Sequence, residues 1–365
     1  MTLKVAVIGV GAMGRQHARV YADLPDVELV GVADVNAPAA AAVARRHGGR
    51  AYDNYAHMLD EQRPAAVTIA VPTGDHLCVA LQAIQRGIHL LIEKPIAFSV
   101  DEGEQIIAAA ERAGVRLMIG HIERFNPSVI ALKQQLAAGA LGRVFEVDAH
   151  RQGPFPDRIR DVGVVIDLAV HDLDVMRYVT GAEIARVYAE TERHIHSTRE
   201  DLLTGVVRLT NGVIGTLRIN WLTPTKIREL YVTGERGLFR LDYLTQDLYF
   251  FENAIAHGDE WQTLRVLRGV SEGRMIRHVV AKKEPLRAEL EAFCAAVRGE
   301  TDVPVSGADG LIALTIAHAL VTSGLEQRAI ELRTEDGGRR TEDELLRPSS
   351  VFRLPSENFT QSPQT

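Results

Sequence analysis

The residues best suited to chemistry begin at Gly9-Val10-Gly11-Ala12-Met13-Gly14, which directly follow the apolar run Leu3-Lys4-Val5-Ala6-Val7-Ile8. Glycines at this spacing have separate tasks. Gly9 permits a tight turn, Gly11 lets a pyrophosphate approach the backbone, and Gly14 lets the next helix pack close to the strand. The free N–H groups around Ala12 and Met13, with the positive end of the helix dipole, then face the phosphates. A second apolar run, 27–33, ends in Asp34, where a carboxylate accepts hydrogen bonds from both hydroxyls of an adenosine ribose. That carboxylate repels a 2′-phosphate, and Val35-Asn36-Ala37 supplies no adjacent arginine. The expected cofactor is therefore NAD.

Glu93-Lys94-Pro95 closes another apolar run. A lysine there lies beside the nicotinamide of a bound dinucleotide, where its ammonium can hold a substrate hydroxyl and stabilise developing oxyanion character. Without the glycine motif it would read as an exposed lysine at a strand end. Pro95 keeps Lys94 extended and is a candidate for a cis bond. Asp167 and His171 are four residues apart, on one helical stripe that Asp174 continues. A carboxylate beside an imidazole raises its basicity and orients it, which suits a proton acceptor in alcohol oxidation. The competing account is a solvated helix face, to which Asp172 and Asp174 are assigned. Arg151, Arg158 and Arg160 form a basic loop that either clamps a diphosphate or is solvated.

These groups need a scaffold. Strands over 3–8, 27–33, 50–52, 65–71, 89–92 and 116–120 alternate with helices over 37–47, 55–62, 75–86 and 100–113. Continuous apolar strands of this kind belong to a parallel sheet covered on both faces. Ligands bind beyond the carboxyl ends of such strands, where strand order reverses. This makes Gly9–Gly14, Val71-Pro72-Thr73 with His76, and Glu93-Lys94-Pro95 one neighbourhood. Beyond residue 122 the pattern changes to a helix (127–138), a strand (143–150), the loop, and a helix (163–179). Strands at 185–193, 202–210, 213–221, 228–233, 237–243 and 247–252 follow, with short turns that imply an open, mostly antiparallel sheet. Residues 257–283 have no clear assignment, and helices at 285–298 and 308–328 follow. The expected fold class is α/β: a doubly wound Rossmann sheet in 1–121, an α+β domain in 122–332 and a polar tail in 333–365. Val206, Leu209, Ile214, Leu217 and Ile219 are expected to form an apolar sheet face that a homodimer or homotetramer covers.

The chain of 365 residues is 46% hydrophobic and 24% charged, as in an ordinary globular protein, with a formal net charge of -7. That balance argues against nucleic acid or an anionic membrane as partner. No apolar run of about 20 residues is apparent, and no leader precedes the first strand, so a cytoplasmic location is expected. Cys78 and Cys294 are expected to be core residues, and His194 and His196 lack companions at metal spacing, so no metal is expected.

Gly9-x-Gly11-x-x-Gly14, Asp34, Glu93-Lys94-Pro95 and Asp167-x-x-x-His171-Asp172 resemble, in order and approximate spacing, the glucose–fructose oxidoreductase / inositol dehydrogenase / MocA family over residues 3–330. The resemblance implies a Rossmann domain joined to a domain whose open sheet mediates oligomers. It also implies a catalytic group of Lys94, Asp167 and His171, with His171 as base, and a substrate-side segment from His121 to Pro127 that includes Arg124 and Asn126. Gly120–Pro127, Gly153–Pro156 and Asp161–Asp167 are similar to nucleotide-sugar 3-dehydrogenases of that family. Those enzymes oxidise the C3 hydroxyl of UDP-N-acetylglucosamine for an aminotransferase in lipid A 2,3-diamino-sugar synthesis. Oxidation of a free polyol such as inositol, and a catalytically silent NAD-sensing regulator, are the other activities the family implies.

Overall fold

The computed structural model describes residues 2–156, 162–254 and 271–332. Six strands, β1 (Leu3–Ile8), β2 (Val27–Ala33), β3 (Arg50–Tyr52), β4 (Ala66–Ile69), β5 (His89–Glu93) and β6 (Leu117–Gly120), make an all-parallel sheet in the order β3-β2-β1-β4-β5-β6. The order reverses between β1 and β4, which opens the ligand crevice there. Every residue of β4 is buried, as a strand covered on both faces requires. The covering helices are α1 (Gly14–Asp23), α2 (Ala37–His47), α3 (Tyr55–Gln62), α4 (His76–Gln85) and α5 (Val100–Ala113). The parallel αβ pattern follows the sequence expectation, with β4 shorter at both ends.

The second sheet has nine strands. These are β7 (Val144–Pro154), β8 (Ile184–Glu192), β9 (Leu202–Leu209), β10 (Ile214–Asn220), β11 (Leu222–Gly234), β12 (Gly237–Asp242), β13 (Asp247–Ala254), β14 (Ser271–His278) and β15 (Ile330–Glu331). Their order is β14-β13-β12-β11-β7-β10-β9-β8-β15, and β7 and β10 are the one parallel pair among the described strands of this second sheet. Three strands, β7, β11 and β13, run longer than expected, and two were not expected at all. β7 continues through Arg151 because Val147, Ala149, Arg151 and Gly153 keep one buried face at period two. β14 lies in the stretch left unassigned, and β15 is an edge strand too short to announce itself.

One face of this sheet carries α6 (Pro127–Ala137), α7 (Val170–Thr180) and, after α8 (Pro285–Arg298), which packs on α1, the helix α9 (Gly307–Glu326), which also reaches α5. Ser306 and Asp309 start α9 with a reciprocal capping box. With 20 residues, α9 is long and apolar enough to cross a membrane, contrary to the expectation that no such run exists. Most of it is buried against α5, α7 and β8, as in a core helix.

The expected apolar face needs correction too. Leu209, Leu217 and Ile219 are at most 1% exposed and point toward the helices, whereas Val206 (46%) and Ile214 (36%) point away with Tyr188. Alternation along β9 and β10 splits the five residues between two faces. Cys294 is buried as expected, but Cys78 is exposed.

Candidate active site

The glycine loop leaves β1 at Gly9 with φ +85°, and a Cβ there would lie 2.6 Å from the Ala70 oxygen at the end of β4. A Cβ on Gly14 would lie 1.8 Å from the Gly9 oxygen, so α1 can start this close to the strand only with glycine. Gly11 differs, since nothing lies within 4 Å of its hypothetical Cβ. Open space above this backbone is what a pyrophosphate needs. No side chain caps α1 at Met13 and no acidic residue occupies its first turn, so the Met13 and Gly14 N–H groups remain for an anion. Asp34 is held in place by two backbone donors, Val10 N–H to Oδ2 (2.7 Å) and Asn36 N–H to Oδ1 (2.8 Å). The described residues fit a dinucleotide with an unmodified ribose.

Across the crevice, the turn after β4 contains Val71, exposed Pro72 and buried Thr73. His76 was expected to touch the cofactor. Instead its buried ring lies between main-chain oxygens, Nδ1 3.0 Å from Pro95 O and Nε2 3.1 Å from Val71 O, and it ties the two turns together. Glu93 likewise turns inward, its Oε1 2.7 Å from Nε2 of His17 on α1. Burial opposes its ionisation, but the hydrogen bond and charge of His17, with Lys94, hold its pKa below the ordinary carboxylate value. Both residues position the Lys94–Pro95 turn, whose peptide bond is cis.

Lys94 Nζ donates to Oδ1 of Asp167 (2.8 Å) and to the Asp167 main-chain oxygen (2.7 Å). That carbonyl belongs to a π-helical segment, Val165–Ala169, that precedes α7. The wider turn changes the ordinary helical hydrogen-bond ladder and is common at functional sites. Spacing alone does not signal it. His171 follows on α7, but no hydrogen bond joins it to Asp167, and its buried Nδ1 has no partner among the described residues. The expected Asp–His pair is thus an Asp–Lys pair. His171 is accordingly not made more basic. Burial first, then the charges of Lys94, Arg151, His121 and Arg228, push its pKa well below the usual imidazole value. A neutral ring is the form that accepts a proton.

Burial likewise lowers the pKa values of His76 and His121. Unfolding lets these rings bind protons below about pH 6.5, while the folded state keeps them neutral. Stability should therefore fall as pH drops through 6.5, by about 1.4 kcal/mol per pH unit for His171 alone until its folded pKa is reached. Urea midpoints from pH 7.5 to 5.5 check this, and His171→Asn should flatten the slope.

Of the arginines expected to face substrate, Arg158 and Arg160 lie outside the described residues. Arg151 is on β7, not in a loop, and is 4% exposed. Its Nε and Nη2 grip Asp172 (2.7 and 3.1 Å), its Nη1 reaches Glu123 (3.0 Å), and its guanidinium stacks over Tyr243. Arg124 makes the same kind of clamp on Asp174 (2.8 and 2.6 Å) and on Asp309 (2.9 Å). Both arginines are spoken for, and the two aspartates assigned to a solvated face are buried at 0% and 1%. Asn126 is 2% exposed and caps α6, with Nδ2 donating to Tyr243 O. The short 3₁₀ turn Ile122–Phe125 brings Glu123 and Arg124 to these partners. Sequence reasoning missed His17, and it had Glu123 and His121 only as members of the His121–Pro127 segment. The persistence of period-two burial through Arg151 was the available signal for this clamp.

No group of three or more His, Cys, Asp or Glu suited to a metal occurs among the described residues. Two family models cover more than half of the chain: residues 3–121 match the oxidoreductase family with NAD-binding Rossmann fold, and residues 129–240 match the GFO/IDH/MocA C-terminal domain. The chain belongs to the Gfo/Idh/MocA family. It is accordingly an NAD-dependent sugar oxidoreductase. It is 32% identical to UDP-N-acetylglucosamine 3-dehydrogenase of Acidithiobacillus ferrooxidans over 315 residues, 86% of this chain and 95% of that one. A solved structure of that enzyme superposes with a TM-score of 0.77, covering 88% of this chain and 97% of the other at 31% identity. Inositol 2-dehydrogenase of Rubrobacter xylanophilus is 26% identical over 363 residues, 97% of each chain. The WlbA dehydrogenase of Bordetella pertussis, solved with NADH and UDP-GlcNAcA, shares the fold at a TM-score of 0.76 and 22% identity, covering 91% of this chain and 99% of that one.

Proposed function

We propose that this oxidoreductase removes hydride from C3 of UDP-N-acetylglucosamine, giving the 3-keto sugar for an aminotransferase in lipid A 2,3-diamino-sugar synthesis. The observation that carries this reading is the Lys94–Asp167 pair where β5 ends beside the glycine-loop crevice, near enough to His171 for the Lys94 charge to lower its pKa. The 32% identity to a dehydrogenase of that substrate, across 86% of the chain, supports it. NAD, when bound, supplies the hydride acceptor. Asp167 takes two N–H bonds of the Lys94 ammonium and leaves a third for the substrate oxygen. Held there, the ammonium stabilises the oxygen as its proton departs. Neutral His171 receives that proton, and the surrounding cations favour its quick release. Asp167 orients Lys94 and balances its charge.

A polyol substrate remains the second reading, because an inositol dehydrogenase aligns along 97% of the chain. Retention of Lys94, Asp167 and His171 disfavours a silent NAD-binding regulator. The deciding experiment is a screen of UDP-sugars, inositol and free sugars for NAD reduction, with mass spectrometry of the product. UDP-N-acetylglucosamine should yield a product about two daltons lighter; reduction of NAD by inositol alone would reject the nucleotide-sugar assignment. We further propose a division at 121/122 and 332/333, a cytoplasmic location, and a homodimer or homotetramer through the open face carrying Tyr188, Val206 and Ile214.

A further inference from the structure

Among the described residues, the lysine and arginines packed around the helix that bears Asp167 and His171 pair with carboxylates, except Arg228. Lys94 is bound by Asp167, Arg151 by Asp172 and Glu123, and Arg124 by Asp174 and Asp309. Arg228, on β11, has hydrogen bonds to main-chain oxygens of Gln152 and Ile227 and no carboxylate in ion-pair contact among the described residues. It stands opposite Arg151 in the β7–β11 ladder, in line with Leu230 opposite Ala149 and Val232 opposite Val147. Alternation therefore puts it on the covered face of the sheet, toward the helix that bears Asp167 and His171. The electrostatics agree, since Arg228 helps depress the His171 pKa and Asp167 helps sustain the charge of Arg228.

The two backbone bonds both come from Nη1. They orient the guanidinium and leave Nε and Nη2, the edge that meets two oxygens of one phosphate or carboxylate side by side. A half-buried guanidinium without an anion is costly. Burial lowers its pKa to about 10, so the charge persists at neutral pH.

The backbone beside it is also unusual. Leu222 faces Pro154 and Ile227 faces Gln152, so residues 223–226 bulge against Gly153 alone. Such bulges recur next to active sites, where they re-aim side chains. This one carries exposed Lys226, which has no ion pair among the described residues. A Cβ on Gly153 would sit in ordinary contact, 3.8 Å from both Arg228 Nη2 and Lys226 Cγ, so both side chains lie over this glycine.

We propose that the Nε–Nη2 edge of Arg228 binds a substrate phosphate, in the diphosphate that joins nucleoside to sugar, with Lys226 flanking it. The assignment of that phosphate to a nucleotide sugar rests on the function proposed above. A sugar carboxylate presents the same pair of oxygens, so the test separates the two sources.

Full-length protein saturated with NAD is titrated with inorganic pyrophosphate, UDP and glucuronate, for wild type, Arg228→Gln and Arg228→Lys. Pyrophosphate and UDP should bind about 30-fold or more weakly to Arg228→Gln, with NAD affinity unchanged. Arg228→Lys should recover only part of this, because an ammonium cannot fork. The KM for UDP-N-acetylglucosamine should rise similarly, by a larger factor than kcat falls. Equal binding of pyrophosphate and UDP by wild type and variants overturns the proposal. So does a wild type that binds neither, or a loss confined to glucuronate. Should wild type bind pyrophosphate through Arg228 yet leave UDP-N-acetylglucosamine unoxidised, the substrate proposal falls while the phosphate site stands.

Discussion

Lys94→Ala should lower kcat by about 10²- to 10⁴-fold while leaving NAD affinity within about twofold. The ammonium is fixed by two bonds to one residue, Asp167, and lies beyond the glycine loop that binds the phosphates. Its loss removes a charge aimed at the reacting oxygen without altering the crevice at Gly11. His171→Asn should cost a similar factor through a different step. The neutral ring is the active form, so wild-type kcat/KM should fall on an acidic limb well below pH 6.5, in keeping with the lowered pKa. Whatever activity the asparagine variant retains should lack that limb. Persistence of the limb in His171→Asn would move the proton acceptor elsewhere; near-normal turnover in Lys94→Ala would remove the lysine from the reaction. Stopped-flow measurement of NADH formation, with NAD titrations of each variant, decides both points.

Asp172→Ala should destabilise the fold by about 3–5 kcal/mol, because it strands the buried Arg151 guanidinium with Glu123 as its remaining partner. Burial pushes the Asp172 carboxyl up and Arg151 pulls it back, so each group depends on the other for its charge. Asp172→Asn should cost less, since the amide oxygen still accepts one bond. Replacing Arg151 and Asp172 together with apolar residues of similar volume should recover much of the loss. Urea unfolding of the four proteins separates these outcomes. A cost under about 1 kcal/mol for Asp172→Ala would mean that the clamp is solvated, as in a surface ion pair.

The pattern of agreement between sequence and structure has a physical basis. Gly9, Gly11, Gly14 and Asp34 were legible because their roles depend on backbone sterics and on spacing within one βαβ unit. The parallel strands were legible for a similar reason, since burial on both faces writes a continuous apolar run. Lys94, Asp167 and His171 were recognisable as a group through family resemblance, but their pairing was not. Whether Asp167 meets His171 on its own helix or Lys94 from a distant strand depends on a π-helical turn and on how the two sheets pack. Arg124, Arg151, Asp172 and Asp174 were assigned to the surface or to substrate for want of known partners. Each is a long-range contact, such as Arg151 with Asp172 across 21 residues and Arg124 with Asp309 across 185.

The sequence by itself determined the sheet class, the cofactor and the residues available for chemistry, because local sterics and periodicity are written along the chain. Only the tertiary structure decided which charges neutralise one another and which cation stays open for an anion. Burial and pairing are set by neighbours in space, and a side chain carries no local mark of what it will face.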